Sequence, residues 1–217
     1  MRTIGLVGTI LALTLAPAAA QDETGTYSHW FFRLGAAELQ NMNGSTNVRI
    51  GGLLVAGTDL HYKDAFTPLP EVGYKFTPDF SAVLALGIPT HVGIRGTGSL
   101  VSTGDLASAS FAPILLTAQY QPFHDGVFRP FLGAGIADMV IFSAHAPALT
   151  NPKLTSDLSP EIEAGSEIMF QENVGMFLEV KKTWLAVHAS GRLGGLALEG
   201  TANISPLLYA AGVSLHF

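Results

Sequence analysis

Apolar and polar residues alternate with a period of two along much of this chain, most clearly after Pro206. Leu207, Tyr209, Ala211, Val213, Leu215 and Phe217 share one face, while Leu208, Ala210, Gly212, Ser214 and His216 share the other. Successive side chains of a strand point to opposite sides, so this alternation predicts a strand. Its first face has no polar group beyond a tyrosine hydroxyl, and the chain stops on an aromatic ring. A lipid-facing strand has this form, with apolar residues outside, small or polar residues inside and aromatics at the interfaces.

Seven further segments repeat the pattern. Val174, Met176, Leu178 and Val180 oppose Gly175, Phe177, Glu179 and Lys181; Ile162, Ala164, Ile168 and Phe170 oppose Glu161, Glu163, Gly165 and Glu167. Ile114, Leu116, Ala118 and Tyr120 oppose Leu115, Thr117, Gln119 and Gln121, and Val72, Tyr74 and Phe76 oppose Glu71, Gly73 and Lys75. Ala82 to Ile88, Phe128 to Phe142 and Trp30 to Met42 complete the set. The connections, at 43–65, 77–79, 92–108, 122–127, 143–159, 171–173 and 189–205, alternate between long and short. A barrel with both chain ends in the periplasm needs that alternation, because its outer loops are long and its inner turns short. The breaker-rich Thr77-Pro78-Asp79 and Pro122-Phe123-His124-Asp125-Gly126 fit the short turns. The expected fold is therefore all-β: an eight-stranded antiparallel transmembrane β-barrel with short periplasmic turns and long extracellular loops. Eight strands leave an interior barely wider than its own side chains.

The N-terminus predicts the compartment. Arg2, the apolar run Ile4–Ala16 and the Pro17–Gln21 ending read as a signal peptide over residues 1–20, cut after Ala20, with the barrel over 21–217. Nowhere after Gln21 is an apolar run long enough for a spanning helix. Composition sharpens this. The chain is 48% hydrophobic but only 13% charged, with net charge 11 − 17 = −6. Soluble domains carry roughly 25% charged residues. The acidity argues against nucleic acid as a partner, and the absence of cysteine excludes thiolate metal sites.

The residues resemble the OmpW family of small outer-membrane barrels over essentially the whole mature chain. The resemblance is carried by Trp30 with Arg33–Ala37, Tyr74–Phe80, Ile88-Pro89-Thr90-His91, Ala118–Phe123, Arg129–Gly135, Glu179–Lys182 and the Pro206–Phe217 ending. Pro160-Glu161, Asp138 and Ser205 depart from common family residues. The resemblance implies passive passage of small hydrophobic molecules, alkanes among them in some relatives, with exit sideways into the bilayer. Lipid and lipopolysaccharide are expected partners, as is the barrel assembly machinery through the C-terminal strand.

Candidate chemistry is sparse. G-x-S-x-G, H-E-x-x-H, P-loop and dinucleotide motifs are missing, and the seven histidines are scattered. No catalytic residue, cofactor or metal is expected; His91 and His124-Asp125 have no identifiable partner set. Inward faces place Arg33, Glu71, Lys75, Arg129, Glu161, Glu163, Glu167, Glu179 and Lys181 in the lumen. Charges buried in so narrow a tube must pair, so a salt-bridged plug is expected, which would also serve as a floor against straight passage. Leu53, Leu54 and Val55 in the first long connection suggest an apolar funnel. Pro89 and Pro113 lie on neighbouring strands and each lacks a ladder donor, which suggests a lateral seam. A structural or adhesive barrel and a lipid-modifying enzyme are the rival classes.

Overall fold

A computed structural model describes residues 28–40, 44–55, 59–61, 65–96, 105–147 and 149–217; the expected leader, residues 1–20, lies outside them. Fifteen strands make eight staves. The first is β1 (Trp30–Gln40) with β2 (Gly44–Ile50), and the second is β3 (Leu53–Val55), β4 (Asp59–His61) and β5 (Ala65–Lys75). The third is β6 (Phe80–Leu86) with β7 (Thr90–Gly96), followed by the unbroken β8 (Asp105–Tyr120) and β9 (Phe128–His145). The sixth is β10 (Thr150–Ser156) with β11 (Ser159–Met169), the seventh β12 (Val174–Thr183) with β13 (Leu185–Leu193), and the eighth β14 (Leu196–Ile204) with β15 (Leu207–His216).

The lower ladders close into a ring: β1–β5–β6–β8–β9–β11–β12–β15 and back to β1, all antiparallel. Closure is what hydrocarbon demands, because no water is present there to satisfy a free sheet edge. Short turns join the staves at the periplasmic end. One of them is fixed by Thr77, whose hydroxyl accepts from Phe80 N–H at 3.0 Å.

The expected long loops at 43–65 and 189–205 prove to contain strand. β13 and β14 form a regular hairpin from Leu185↔Ile204 to Leu193↔Leu196, capped by Gly194 and Gly195 at φ +57° and +87°. Gly51 and Gly52, at +57° and +85°, cap the β2–β3 hairpin the same way. Both glycines of such a two-residue turn need positive φ, which only glycine adopts without steric cost. Gly51 N–H donates to Ala197 O at 2.8 Å, so the two tips are bonded side by side.

What the alternation does not foretell is that its polarity turns over along the seventh and eighth staves. On β12 the outward residues are Val174, Met176, Leu178 and Val180, and the inward ones include Phe177, Glu179, Lys181 and Thr183. Across Trp184 the phase continues, but β13 now presents Leu185, Val187 and Ala189 inward and His188, Ser190 and Arg192 outward. The eighth stave agrees: Tyr209, Val213 and Leu215 face out below, whereas Ala202 and Ile204 face in above. On these staves the barrel is greasy outside and polar inside below the inversion, and the reverse above it. On β9 the inward Met139 and Ile141 are apolar while Phe142 stays exposed outside.

The inversion marks the outer membrane boundary. From Phe128 to Asp138 is ten residue steps on β9. At about 3.3 Å per residue and a tilt near 40° they rise roughly 25 Å, the height of an outer-membrane apolar band. The lower edge is an aromatic girdle. Trp30 packs edge-on to Tyr74 at 4.8 Å, Tyr74 to Phe76 at 5.3 Å, and Phe80 lies 4.8 Å from Tyr120.

Close strand approach at Gly35↔Gly212 tightens the β1–β15 closure. A Cβ on Gly212 would sit 2.1 Å from Leu34 O, a backbone atom that cannot swing aside. Gly212→Val is therefore expected to block ring closure. Refolding into detergent micelles should give mostly the unfolded electrophoretic band, and a wild-type folded fraction would refute that reading of the contact.

Candidate functional site

The lumen is layered. Nearest the periplasm, Phe31, Phe131 and Phe177 surround the Arg33 guanidinium, with ring centroids 4.7, 4.6 and 5.6 Å from its central carbon. Such cation–π contacts are strongest when desolvated, and Arg33 is only 1% exposed. Its Nε donates to Glu167 Oε1 at 2.9 Å, and Nη1 lies 3.5 Å from Glu71 Oε2 and 3.9 Å from Glu179 Oε2. Gln119 Oε1 accepts from both Nη atoms at 3.4 Å.

Lys181 is the second centre. Its Nζ lies 3.0 Å from Glu71 Oε1 and 3.1 Å from Glu179 Oε1, and it also donates to Glu163. Gln119 Nε2 donates to Glu163, Thr117 Oγ1 to Glu161 Oε2 at 2.8 Å, and Ser214 Oγ to Glu167 Oε1 at 2.6 Å. His216 Nε2 lies 3.3 Å from the Glu167 carboxylate. Arg33 and Lys181 are tolerated at this depth because each is ringed by carboxylates, while Glu161 is held by the Thr117 hydroxyl.

Seven of the nine residues expected in the lumen therefore meet in one plug: Arg33 and Lys181 with Glu71, Glu161, Glu163, Glu167 and Glu179. Two stand apart. Lys75 is buried nearer the periplasm with its Nζ 5.9 Å from the Phe31 ring, and Arg129 Nε donates to Gly126 O at 2.9 Å in the adjoining turn. The aromatic cage and the neutral partners Gln119, Thr117 and Ser214 were missed by a search for charge alone. The inward phase of each strand already contained them.

Above the plug lies an apolar layer of Ala37, Leu69, Ala85, Leu115, Ala137, Leu185, Leu208 and Ala210. It is the floor of a cavity of about 240 Å³. Val48, Phe111, Ile141, Leu154, Val187 and Ile204 are among its walls. The cavity thus occupies the upper barrel, where the inverted pattern turns apolar side chains inward.

The wall around this cavity is not hydrogen-bonded throughout. β9 pairs with β11 only up to Ala137↔Ser159. At Asp157 and Leu158 the sixth stave changes phase, and β10 pairs with β13 instead. Among the described residues β9 and β10 share no ladder. At the foot of the gap, side chains replace the missing strand. Met139 N–H donates to Asp138 Oδ1 at 2.7 Å, and the Ser156 hydroxyl lies 2.5 Å from Asp138 Oδ1 and 2.9 Å from Met139 O. Met139 and Ile141 on one side, Pro152 and Leu154 on the other, all line the cavity.

Pro89 and Pro113, the expected seam, flank a second interruption of the wall. Pro89 falls between β6 and β7, and Pro113 on β8 lines the cavity. Pairing with β8 stops at Leu86↔Ile114 and resumes at Thr90↔Phe111, with Gly87 N–H donating to Pro113 O at 2.8 Å between them. The interruption there is short. Of the expected funnel residues, Val55 pairs with cavity-lining Val48, while Leu54 pairs with Arg49 on the opposite face. Leu53 and Leu54 are 77% and 60% exposed at the hairpin tip and are not part of the cavity lining. The His91 side chain lies outside the described residues. His124 bonds Asp79 Oδ1 at 2.8 Å and so ties two periplasmic turns together. A further histidine, His188, bridges Asp157 Oδ2 at 2.9 Å and Thr201 Oγ1 at 3.1 Å on the outer face.

The OmpW family model matches residues 27–217. The chain is 31% identical over 211 residues to the outer-membrane protein y4mB of Sinorhizobium fredii, covering 94% of this chain and 88% of that one. It is 26% identical over 216 residues to the dibenzothiophene metabolism operon protein PahQ of Pseudomonas aeruginosa, covering 100% and 99%. Among solved structures it is similar to the outer membrane protein OprG of Pseudomonas aeruginosa. That likeness has a TM-score of 0.80 at 20% identity and covers 88% of this chain and 96% of that one.

The plug yields a stability test. Arg33→Met leaves Glu167 without its principal cation and Glu71 with Lys181 alone, and breaking one side of a buried ionic network costs about 3–5 kcal/mol. The urea midpoint of the variant in lipid vesicles should fall accordingly, and adding Glu167→Gln should restore part of the loss. Equal midpoints for wild type and Arg33→Met would show that the network adds nothing.

Proposed function

The chain belongs to the OmpW family of outer-membrane barrels, and from that premise we propose that it carries small hydrophobic molecules passively past the outer leaflet. An apolar solute enters the cavity from outside and meets the floor formed by Leu115, Ala137, Leu185 and Leu208. The plug beneath blocks straight passage, because crossing it would strip charged groups of their partners. Exit is then sideways at the foot of the gap between β9 and β10, the level at which the gap meets the edge of the bilayer.

The observation that carries this reading is the apolar cavity standing on a charged plug, beside a wall without ladder hydrogen bonds. An unpaired wall is compatible with the membrane only where backbone groups can reach water or side chains. The gap begins at Asp138 and Ser156, the level where the outward face turns polar. Transfer from water through the cavity to lipid is downhill by about 0.8 kcal/mol per methylene, so no energy source is required. The relative from a dibenzothiophene metabolism operon supports an apolar cargo, dibenzothiophene being a fused aromatic. Leu53 and Leu54 at the outer tip, with Val55 turned inward beside Val48, serve as the first greasy contact for an arriving molecule. The break at Pro89, opposite Pro113, makes the neighbouring wall pliable.

Two measurements test the proposal. Proteoliposomes should take up a polyaromatic fluorophore faster than protein-free vesicles, and equal rates would refute transport. The chain has no cysteine, so Ile141→Cys with Leu154→Cys introduces a unique pair flanking the gap. A short thiol cross-linker across it should slow uptake severalfold, reversibly on cleavage. Verified cross-linking without slowing would rule out this exit.

A further inference from the structure

The lining of the cavity is uneven in one respect. Its ionisable residues are Asp138, His145 and Lys153, and all three lie on β9 or β10, the strands that flank the gap. Elsewhere the wall is hydrocarbon, small residues and a few hydroxyls. The charge sits at the lateral mouth alone.

The three are not equivalent. The Asp138 carboxylate is engaged by Met139 N–H and Ser156. Lys153 has no hydrogen bond or ion pair among the described residues. It is exposed and in register with the outward Ser190 on β13, so its side chain leaves the outer face at the lip of the gap. Its neighbours Pro152 and Leu154 turn toward the cavity. A lysine carries its charge on a flexible apolar stem, so its ammonium can remain at the polar edge while the stem covers apolar surface. His145 lies farther up β9 on the opposite lip, as a second donor.

Resting on the cavity-and-exit reading above, we propose that the preferred cargo is amphiphilic: a single apolar tail with an anionic head, of the medium-chain carboxylate class. The tail occupies the cavity over the Leu115–Leu208 floor, and the carboxylate meets Lys153 at the mouth of the gap. Depth favours this arrangement. The foot of the gap lies at the membrane boundary, so an amphiphile leaving sideways keeps its head at polar depth while its tail passes directly into hydrocarbon. A neutral alkane gains nothing from Lys153, and a cationic amphiphile is repelled by it.

Competition for a bound neutral polyaromatic dye, with the protein in lipid nanodiscs at pH 8, tests the inference. Decanoate should displace the dye at about fivefold lower concentration than decanol, the scale of one exposed ion pair, and decyltrimethylammonium should be weakest. Lys153→Met should bring the decanoate-to-decanol ratio to about one, Lys153→Arg should retain it, and Lys153→Glu should favour the ammonium. A dye that fails to bind wild type over empty discs overturns the cavity reading itself. Dye displaced equally by decanoate and decanol, or a ratio unmoved by Lys153→Met in correctly folded protein, overturns only the head-group inference. A preference that vanishes when lipopolysaccharide is added to the discs also overturns it, by assigning Lys153 to lipid phosphates.

Discussion

A strand has two faces, and each must match what it meets; in this barrel both matches exchange partners at a single level. Below Trp184 and Asp138, the outside meets lipid and the inside meets a network of charges. Above them, the outside of the seventh and eighth staves meets the aqueous, polysaccharide-rich layer and the inside meets a predominantly apolar cavity. Every functional feature follows from that exchange. Without it the upper barrel would be a polar tube continuous with the plug, and no apolar solute would have a reason to enter.

The plug and the gap are the two remaining halves of the argument. The plug is affordable because the narrow lumen lets Arg33 and Lys181 each reach several carboxylates at once, with amide and hydroxyl groups filling the rest. Three phenylalanine rings pack around the guanidinium and bury it from water. The gap between β9 and β10 exists where the membrane no longer enforces closure. Sideways release is thus confined to a narrow band of heights, set by where the ladder is released and where the floor stands.

Much of this was legible in the chain. Period two, the alternating connection lengths and the aromatic termini fix eight staves, their order and their lipid face. The inward phase of the same strands gathers most of the plug, because parity alone decides which side of a sheet Glu71, Glu179 or Lys181 occupies. The upper barrel was harder to see. Residues 189–205 look like a loop when strands are sought by an apolar outer face, since Ser190, Arg192, Glu199 and Thr201 break that template. They are strand with the template inverted. The gap was sought at Pro89 and Pro113, where a missing donor is visible in sequence. A longer break lies at Asp157 and Leu158, where one stave changes phase, and a phase change depends on which neighbours a strand selects. Lys153, on the outer lip of the gap, carries no sequence signal beyond being a cation near apolar residues.

The most direct test of the exchange is a depth profile along one stave. Single cysteines from Val174 to Arg192, each carrying a nitroxide, report collisions with oxygen in lipid and with a water-soluble nickel chelate. Even-numbered positions should favour oxygen up to Val180 and nickel from Ala186 upward, while Leu185, Val187 and Ala189 collide little with nickel and lose that little when an apolar solute is added. Nickel-accessible labels at those three odd positions, unaffected by solute, would mean a water-filled upper barrel and contradict the account.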